Sequence, residues 1–424
     1  MRTSLAFGEG KLLVEVPAEG TVVVEPTWEP GVEDPLGTCR QALARPVGSP
    51  RLRALVQRGQ RVAISVCDGT RPQPRDVVVP ALLEELDGAV DLDDVVVLVA
   101  TGTHRGNTPD ELRAMFGDEV LGAVVVENHD ARRPDGLSWC GELGDHVPVW
   151  LNRQWVEADV RITTGFVEPH FFAGFSGGPK MVAPGLAGLE TTLRLHDARR
   201  IGDPRATWGR TVGNPVHDDI RAIAEATGVD FALDVVLNRE HEIVSAFAGA
   251  LSSVHDRAVE RSRLLSLQRV EQRFDVVLTS NAGYPLDQNL YQAVKGISAA
   301  AQVVADGGLI VCCAECRDGI PDHGPFGELL RSASSPAELL DRINASTEVI
   351  PDQWEAQILA RIQTRCQVAV HATGLDDATL RDLGLGASAD PAATVADGLR
   401  ARGPSATLCV LPSGPETIPY VQAS

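Results

Sequence analysis

Aromatic residues make up only 4% of this 424-residue chain, and it has no uninterrupted apolar run of the length, about 18 residues, that a membrane span needs. The second absence leaves nothing to cross a membrane as a helix. The first leaves Val, Leu and Ala to build the core, a mixture that suits the buried strands of an α/β protein. Positive charge is short as well. With 38 Lys+Arg against 58 Asp+Glu, the formal net charge is −20. A surface of that sign repels nucleic acid and anionic membranes, so neither is expected as a partner. A small anionic substrate would then need a local cluster of cations. The opening stretch MRTSLAFGEGKLLVEVPAEG lacks a basic start followed by an apolar run, so no secretory leader is expected. The eight cysteines are scattered, as suits reduced thiols in a cytoplasm rather than a disulfide framework. No internal repeat and no low-complexity tract is present.

What the chain does have, at 44% hydrophobic residues, is enough apolar material for a sizeable core or two. Apolar runs of strand length recur, each ending in a turn. RVAISV (61–66) runs into CDGTRP, DVVVLVA (94–100) into TGTHRG, and VRITTGF (160–166) into VEPHFFAGFSGGPK. DVVLTS (275–280), GLIVCCA (308–314) and ATLCVLP (406–412) follow the same pattern. Helical patterns lie between them, for instance at 80–89 and 218–228. The alternation predicts two α/β domains with mostly parallel sheets, over 1–262 and 263–424. A long charged helix over 255–273, with Leu264, Leu265 and Leu267 on its apolar side, is expected at the boundary. In open sheets of this kind ligands bind beyond the carboxyl ends of the strands, and the polar motifs here begin where the strands stop.

The segment HFFAGFSGGPK (170–180) is not a phosphate-binding P-loop. Pro179 stands where the glycine before the lysine belongs, and Met181 replaces the Ser or Thr that would hold magnesium. What remains is a turn, Ser176, Gly177 and Gly178, whose backbone N–H groups suit an anion, followed by Lys180 as counter-ion or nucleophile. His104 and His170 both follow strand ends, in loops expected on one sheet edge. Two imidazoles across a small substrate are equipment for moving protons on either face. A further histidine, His196, lies in LRLHDA. CDGTRP supplies Asp68 and Arg71, and YQAVKG supplies Gln292 and Lys295, three apart and so on one helix face. Such cations suit a carboxylate. His129, His146, His217, His241, His255, His323 and His371 are read as structural. Cys313 and Cys316 form a CxxC with no second pair at zinc spacing, and are read as buried strand-end thiols, with a thioredoxin-like redox pair as the alternative. These residues leave three functions open: an enzyme moving protons with two histidines, a metal hydrolase with His104, His170 and His196 as ligands, and a nucleotide- or cofactor-binding protein without turnover.

Taken together the motifs resemble the nickel-dependent lactate racemase family. The matching elements are DGTRP from Asp68, TGTHR from Thr101, the stretch from His170 to Lys180, His196, GNPVH ending at His217, YQAVKG from Tyr291 and DQWEAQ from Asp352. They span roughly residues 60–360 in matching order and spacing. The resemblance implies two α/β domains with the active site in the cleft between them. It implies a nickel-pincer nucleotide, a pyridinium mononucleotide with two thio-carboxyl groups holding nickel, joined covalently to Lys180. It further implies His196 as the protein's nickel ligand, His104 and His170 as the acid/base pair, and Arg71, Gln292 and Lys295 as binders of a small 2-hydroxy acid. Asp68, Thr70 and the Ser176–Gly178 backbone would seat the cofactor. Phe171, Phe172 and Phe175 would wall the site, and Trp354 would belong to an apolar cover. The partners implied are the cofactor's biosynthetic enzymes. Gly69 stands where the lactate enzymes usually have His, and Gly106 where proline is more usual, so the 2-hydroxy acid itself is left open.

Overall fold

The computed structural model describes residues 1–321 and 324–422; His323 lies outside the described residues. The chain forms two compact units. The N-terminal unit comprises Trp28–His196 and Arg205–Leu265. The C-terminal unit comprises Met1–Thr27, Asp197–Pro204 and the chain from Ser266 onward.

The N-terminal unit is built on a six-stranded sheet in the order Ile243–Gly249, Phe231–Leu237, Val160–Phe166, Val62–Cys67, Val95–Ala100 and Val125–Asn128. All neighbours run parallel except the first pair. Val62–Cys67 and Phe231–Leu237 are buried at every position, which is why they read as continuous apolar runs rather than as alternations. The helix Arg75–Leu86 lays Val78, Leu82 and Leu86, spaced four apart, into the same core as Val62, Ile64 and Val66. The helix Pro109–Ala123 begins with a capping box: Glu111 N donates to Thr108 Oγ1 at 3.2 Å and Thr108 N donates to Glu111 at 2.7 Å. Arg105 donates twice to the same Glu111 carboxylate, at 2.8 and 2.6 Å. The loop between the Val95–Ala100 strand and this helix is thus tied at its far end.

The C-terminal unit carries a second six-stranded sheet, wholly parallel, in the order Gly386–Ala387, Gln367–His371, Val304–Cys313, Phe274–Ser280, Leu408–Leu411 and Thr21–Val23. The expectation of α/β units with mostly parallel sheets is met in both. The break after Leu265 lies close to the expected boundary at 262, but the first 27 residues and 197–204 group with the C-terminal unit. The cause is local pairing. Thr21–Val23 forms an edge strand against Leu408–Val410, and Gly8 N donates to the buried Asp287 carboxylate at 2.7 Å. The helix expected over 255–273 runs from Leu251 to Ser266 instead. Leu267 opens a short strand paired with Ile418–Val421, and Leu264 is 66% exposed, so only Leu265 lies on the apolar side as expected.

Candidate active site

Val160–Phe166, Val62–Cys67 and Val95–Ala100 are adjacent and parallel, so the loops that leave their carboxyl ends lie side by side. Asp68 follows the middle strand and is almost fully buried. One carboxylate oxygen accepts from His104 Nδ1 at 2.8 Å, and the other accepts from Thr70 Oγ1 at 2.7 Å. Burial alone would push the Asp68 carboxyl up. The hydrogen bond and charge of His104, with Arg71 and Thr70, outweigh it and hold Asp68 below its ordinary value. In the neutral ring a proton donated from Nδ1 leaves the lone pair on Nε2, so the half-exposed His104 is oriented to take a proton there. Asp68 and Thr70, expected beside a cofactor, are hydrogen-bonded here so that Asp68 orients His104.

Two residues that the sequence reading passed over hold this turn. Arg75, 7% exposed, donates through Nη1 to the carbonyls of Cys67, Asp68 and Arg71 at 3.3, 3.1 and 3.1 Å. Gln73, 2% exposed, accepts from Cys67 N at 2.9 Å and donates to Thr164 Oγ1 at 3.0 Å, which ties the middle strand's end to its neighbour. Arg71 itself is partly exposed and donates to Thr70 O and Oγ1, both at 3.2 Å.

The loop after Val160–Phe166 folds into a two-rung hairpin, Pro169–His170 against Gly174–Phe175. Within it Ala173 N donates to His170 Nδ1 at 3.3 Å. Nδ1 therefore holds the lone pair and Nε2 the proton, the opposite tautomer to His104. One ring is arranged to accept at Nε2 and the other to donate there. The Phe172 ring gathers the remaining candidates. His170 lies edge-on at 4.5 Å between centroids, His196 edge-on at 5.2 Å, and Lys180 Nζ is 5.8 Å from the ring centre. Phe171, Phe172 and Phe175 are all buried. His196 closes the helix Leu189–Leu195 and donates from Nδ1 to Thr192 O at 2.6 Å, which leaves its Nε2 as the lone-pair nitrogen.

In the turn Ser176–Gly178 two of the three backbone N–H groups, those of Ser176 and Gly178, are engaged within the chain. Ser176 N donates to Glu168 O at 2.8 Å, Ser176 Oγ donates to Phe166 O at 2.7 Å, and Gly178 N donates to a buried carboxylate of Asp234 at 3.1 Å. An N–H already given to a carboxylate is a poor donor for a phosphate. These residues shape the segment that carries Lys180.

Gln292 and Lys295 belong to the C-terminal unit, on the helix Leu290–Ala300. They do share a face: Lys295 Nζ donates to Gln292 Oε1 at 2.7 Å. Trp354, nearly buried, donates from Nε1 to Tyr291 OH at 3.1 Å. Cys313 and Cys316 are reduced and buried, and burial pushes both thiols up to about 12, which suits the structural reading. Among the described residues no group of three or more His, Cys, Asp or Glu is placed to hold a metal ion, so nothing here supports His104, His170 and His196 as joint ligands.

Two family models cover most of the chain: the lactate racemase N-terminal domain over residues 7–209 and the lactate racemase C-terminal domain over residues 270–418. The chain belongs to the lactate racemase family. It is an isomerase. A curated lactate racemase from Thermoanaerobacterium thermosaccharolyticum is 38% identical over 76% of both chains, and one from Lactiplantibacillus plantarum is 36% identical over 77% of both. A solved structure of the lactate racemase apoprotein from Thermoanaerobacterium thermosaccharolyticum superposes with a TM-score of 0.93, at 32% identity and over the whole of both chains. A crystal structure of a Thermotoga maritima protein shares the fold at a TM-score of 0.66 and 20% identity, over 91% of this chain and 98% of its own. Asp68, His104, Phe172 and Lys180 lie within the first matched range, and Gln292 and Lys295 within the second.

Proposed function

We propose that this protein racemises or epimerises a 2-hydroxy acid by reversible hydride transfer through a 2-keto acid, with a nickel-pincer nucleotide joined to Lys180. The observation that carries the reading is the cluster around Phe172, which gathers an imidazole with a proton at Nε2, an imidazole with a lone pair at Nε2, and a primary amine.

The donor set fits that cofactor. A metal in this unit needs most of its ligands from elsewhere, since among the described residues the protein gathers no ligand triad of its own. The pincer brings its sulfur donors with it, and His196 Nε2 would complete them, a pairing within the ordinary preferences of nickel. Lys180 would carry the group through its amine. Of the chain's 38 basic residues only three are lysines, Lys11, Lys180 and Lys295. Where a fixed charge suffices this chain uses arginine, whose guanidinium stays protonated; a lysine amine can be deprotonated and form a bond. When bound, the group supplies an electron-poor ring able to take a hydride from a substrate carbon and return it to either face.

The chain's own residues do the rest. His104 Nε2 accepts the hydroxyl proton of one enantiomer, and the buried Asp68 carboxylate stabilises the imidazolium that forms. His170 Nε2–H gives a proton to the 2-keto acid oxygen that becomes the opposite enantiomer's hydroxyl. Arg71, Gln292 and Lys295 take the substrate carboxylate and hydroxyl, with Lys295 already aligned by Gln292. The reading places the protein with the cofactor's biosynthetic enzymes in the cytoplasm. Its test is the protein produced together with those enzymes. Intact mass should show one cofactor added at Lys180, and a panel of single-enantiomer 2-hydroxy acids should contain one that converts to its mirror form. Loaded protein that exchanges no α-hydrogen on any member of the panel would refute the reaction.

A further inference from the structure

Beneath the segment that carries Lys180 lies a layer of buried polar side chains that the proposed reaction does not use. Asp234 sits in the centre of the Phe231–Leu237 strand, wholly buried. Its Oδ2 accepts from Gly178 N at 3.1 Å, while its Oδ1 has no partner. His255, 3% exposed on the helix Leu251–Ser266, donates from Nε2 to Ser176 O at 3.0 Å. The turn is held between these two with no room to spare. A Cβ at Gly178 would lie 2.4 Å from the His255 ring, and a Cβ at Gly165 would lie 2.6 Å from Asp234 Oδ1 and 2.8 Å from Gly177 Cα. Gly177 and Gly178 have φ of +68° and +49°, so glycine is needed here for conformation as well as for space. His217, 2% exposed, stacks on His255 with ring centroids 5.3 Å apart. Desolvation holds both imidazoles neutral, at about 3 for His217 and about 4 for His255, and the nearby Lys180 charge adds to the effect.

A carboxylic acid in the middle of a core strand is costly to bury, and a carboxylate with one oxygen unpaired more so. An apolar residue would pack this sheet at lower cost. Both polar groups spend their hydrogen bonds on the two backbone atoms that bracket Gly177, two and four residues before Lys180.

We infer that Asp234 and His255 are positioning residues for Lys180, clamping the Ser176–Gly178 turn from its buried side so that the amine is presented in one place. The inference rests on the reading of Lys180 as the functional amine, but its test does not require the cofactor. The chain has only three lysines, so the acylation rate of each by a water-soluble amine-reactive ester can be followed by peptide mass mapping, with Lys11 and Lys295 as internal references. In Asp234→Ala the turn loses its anchor, and labelling of Lys180 should rise at least about fivefold relative to both references, the equilibrium weight of one net hydrogen bond. Asp234→Asn keeps an acceptor for Gly178 N and should stay within about twofold of the parent, the scale of a change too small to free the turn. His255→Ala and His255→Gln repeat the comparison from the other side of the turn, should the Asp234→Ala protein not fold. Unchanged Lys180 labelling in folded alanine variants, or equal labelling in the alanine and conservative variants, overturns the clamp. A separate arm, intact mass after production with the cofactor's biosynthetic enzymes, reports on the reading of Lys180. If the parent gains no mass there, that reading fails while the labelling result stands by itself.

Discussion

Replacing Asp68 by asparagine probes the His104 arrangement with little change of shape. The carboxylate is buried and accepts two hydrogen bonds, from His104 Nδ1 at 2.8 Å and Thr70 Oγ1 at 2.7 Å. A carboxamide has two ways to fit. In the first, its oxygen keeps Thr70 and its NH2 faces His104. Nδ1 must then accept, the proton moves to Nε2, and the atom assigned to take the substrate's proton is blocked. The corresponding change in a Ser-His-Asp triad costs about 10⁴ in kcat. In the second, the oxygen faces His104 and the NH2 meets Thr70 Oγ1. The tautomer survives, but the imidazolium formed in the reaction loses its counter-charge. The difference between a charged and a neutral hydrogen bond, about 1 kcal/mol, then sets the loss at roughly fivefold. The two arrangements compete, so their populations mix and kcat should fall by about 10- to 10³-fold, between those limits. KM should change little, because Asp68 acts through His104 and not on the substrate. The assay is conversion of one enantiomer of an accepted 2-hydroxy acid, followed by chiral chromatography on protein whose cofactor occupancy is matched by intact mass. A kcat within about twofold of the parent at equal occupancy would refute the assignment of His104 as a base oriented by Asp68.

His104→Ala and His170→Ala should each lower the racemisation rate by about 10²–10⁴-fold in both directions while cofactor occupancy by intact mass is retained, the range for loss of a general acid or base. Asp234 is pushed up to about 7 by burial, so between about pH 4 and 7 the folded chain holds a proton that the unfolded chain has released. That contribution to stability is therefore present below about pH 4 and lost as pH rises to 7, on the order of 4 kcal/mol at most, and denaturant titrations of Asp234→Asn against the parent should show the difference vanish at low pH. His217 and His255 act in the opposite sense. Burial depresses them to about 3 and about 4, so the stability they contribute is complete above about 6.5 and lost on acidification through those values; His255→Gln should flatten the acid limb of the parent's stability curve. Arg75→Ala leaves the carbonyls of Cys67, Asp68 and Arg71 without their shared donor, and should lower stability by about 3 kcal/mol or more, read as a fall in the thermal midpoint.

The strands were legible because they are buried on both faces, so that runs such as VAISVC and VVVLVA stand out from the charged helices around them. The ends of those strands then located the candidate residues without any knowledge of their contacts. What stayed hidden depends on which strands are neighbours. Asp68 and His104 are 36 residues apart, and only the parallel pairing of their two strands makes them partners. The three-residue strand Thr21–Val23 is too short for any periodicity to declare it, so the N-terminal segment's membership of the C-terminal unit could not be read. The glycines of 176–178 were legible as a tight turn, but local sequence gives no sign of a carboxylate arriving from 56 residues downstream to take Gly178 N.

Some signals were present and unused. FALDVVL carries an acid inside an otherwise apolar run, and a side chain there has no solvent to reach on either face of a covered sheet. Such a residue has to serve a buried partner, and the partner proves to be the turn before Lys180. Lysine usage tells the same story from the other end. A chain that meets nearly all its need for positive charge with arginine keeps lysine at 180 and at 295, the two positions where the proposed chemistry needs an amine to bond or a compact ammonium to grip a carboxylate. Lys180→Arg and Lys295→Arg preserve charge and remove the amine. The first should abolish covalent loading by intact mass. The second should raise KM with loading intact, since the guanidinium cannot occupy the ammonium's place beside Gln292 Oε1 without displacing it. Loading that survives Lys180→Arg would break the link between the amine and the cofactor, and with it the reason for building a buried clamp under that turn.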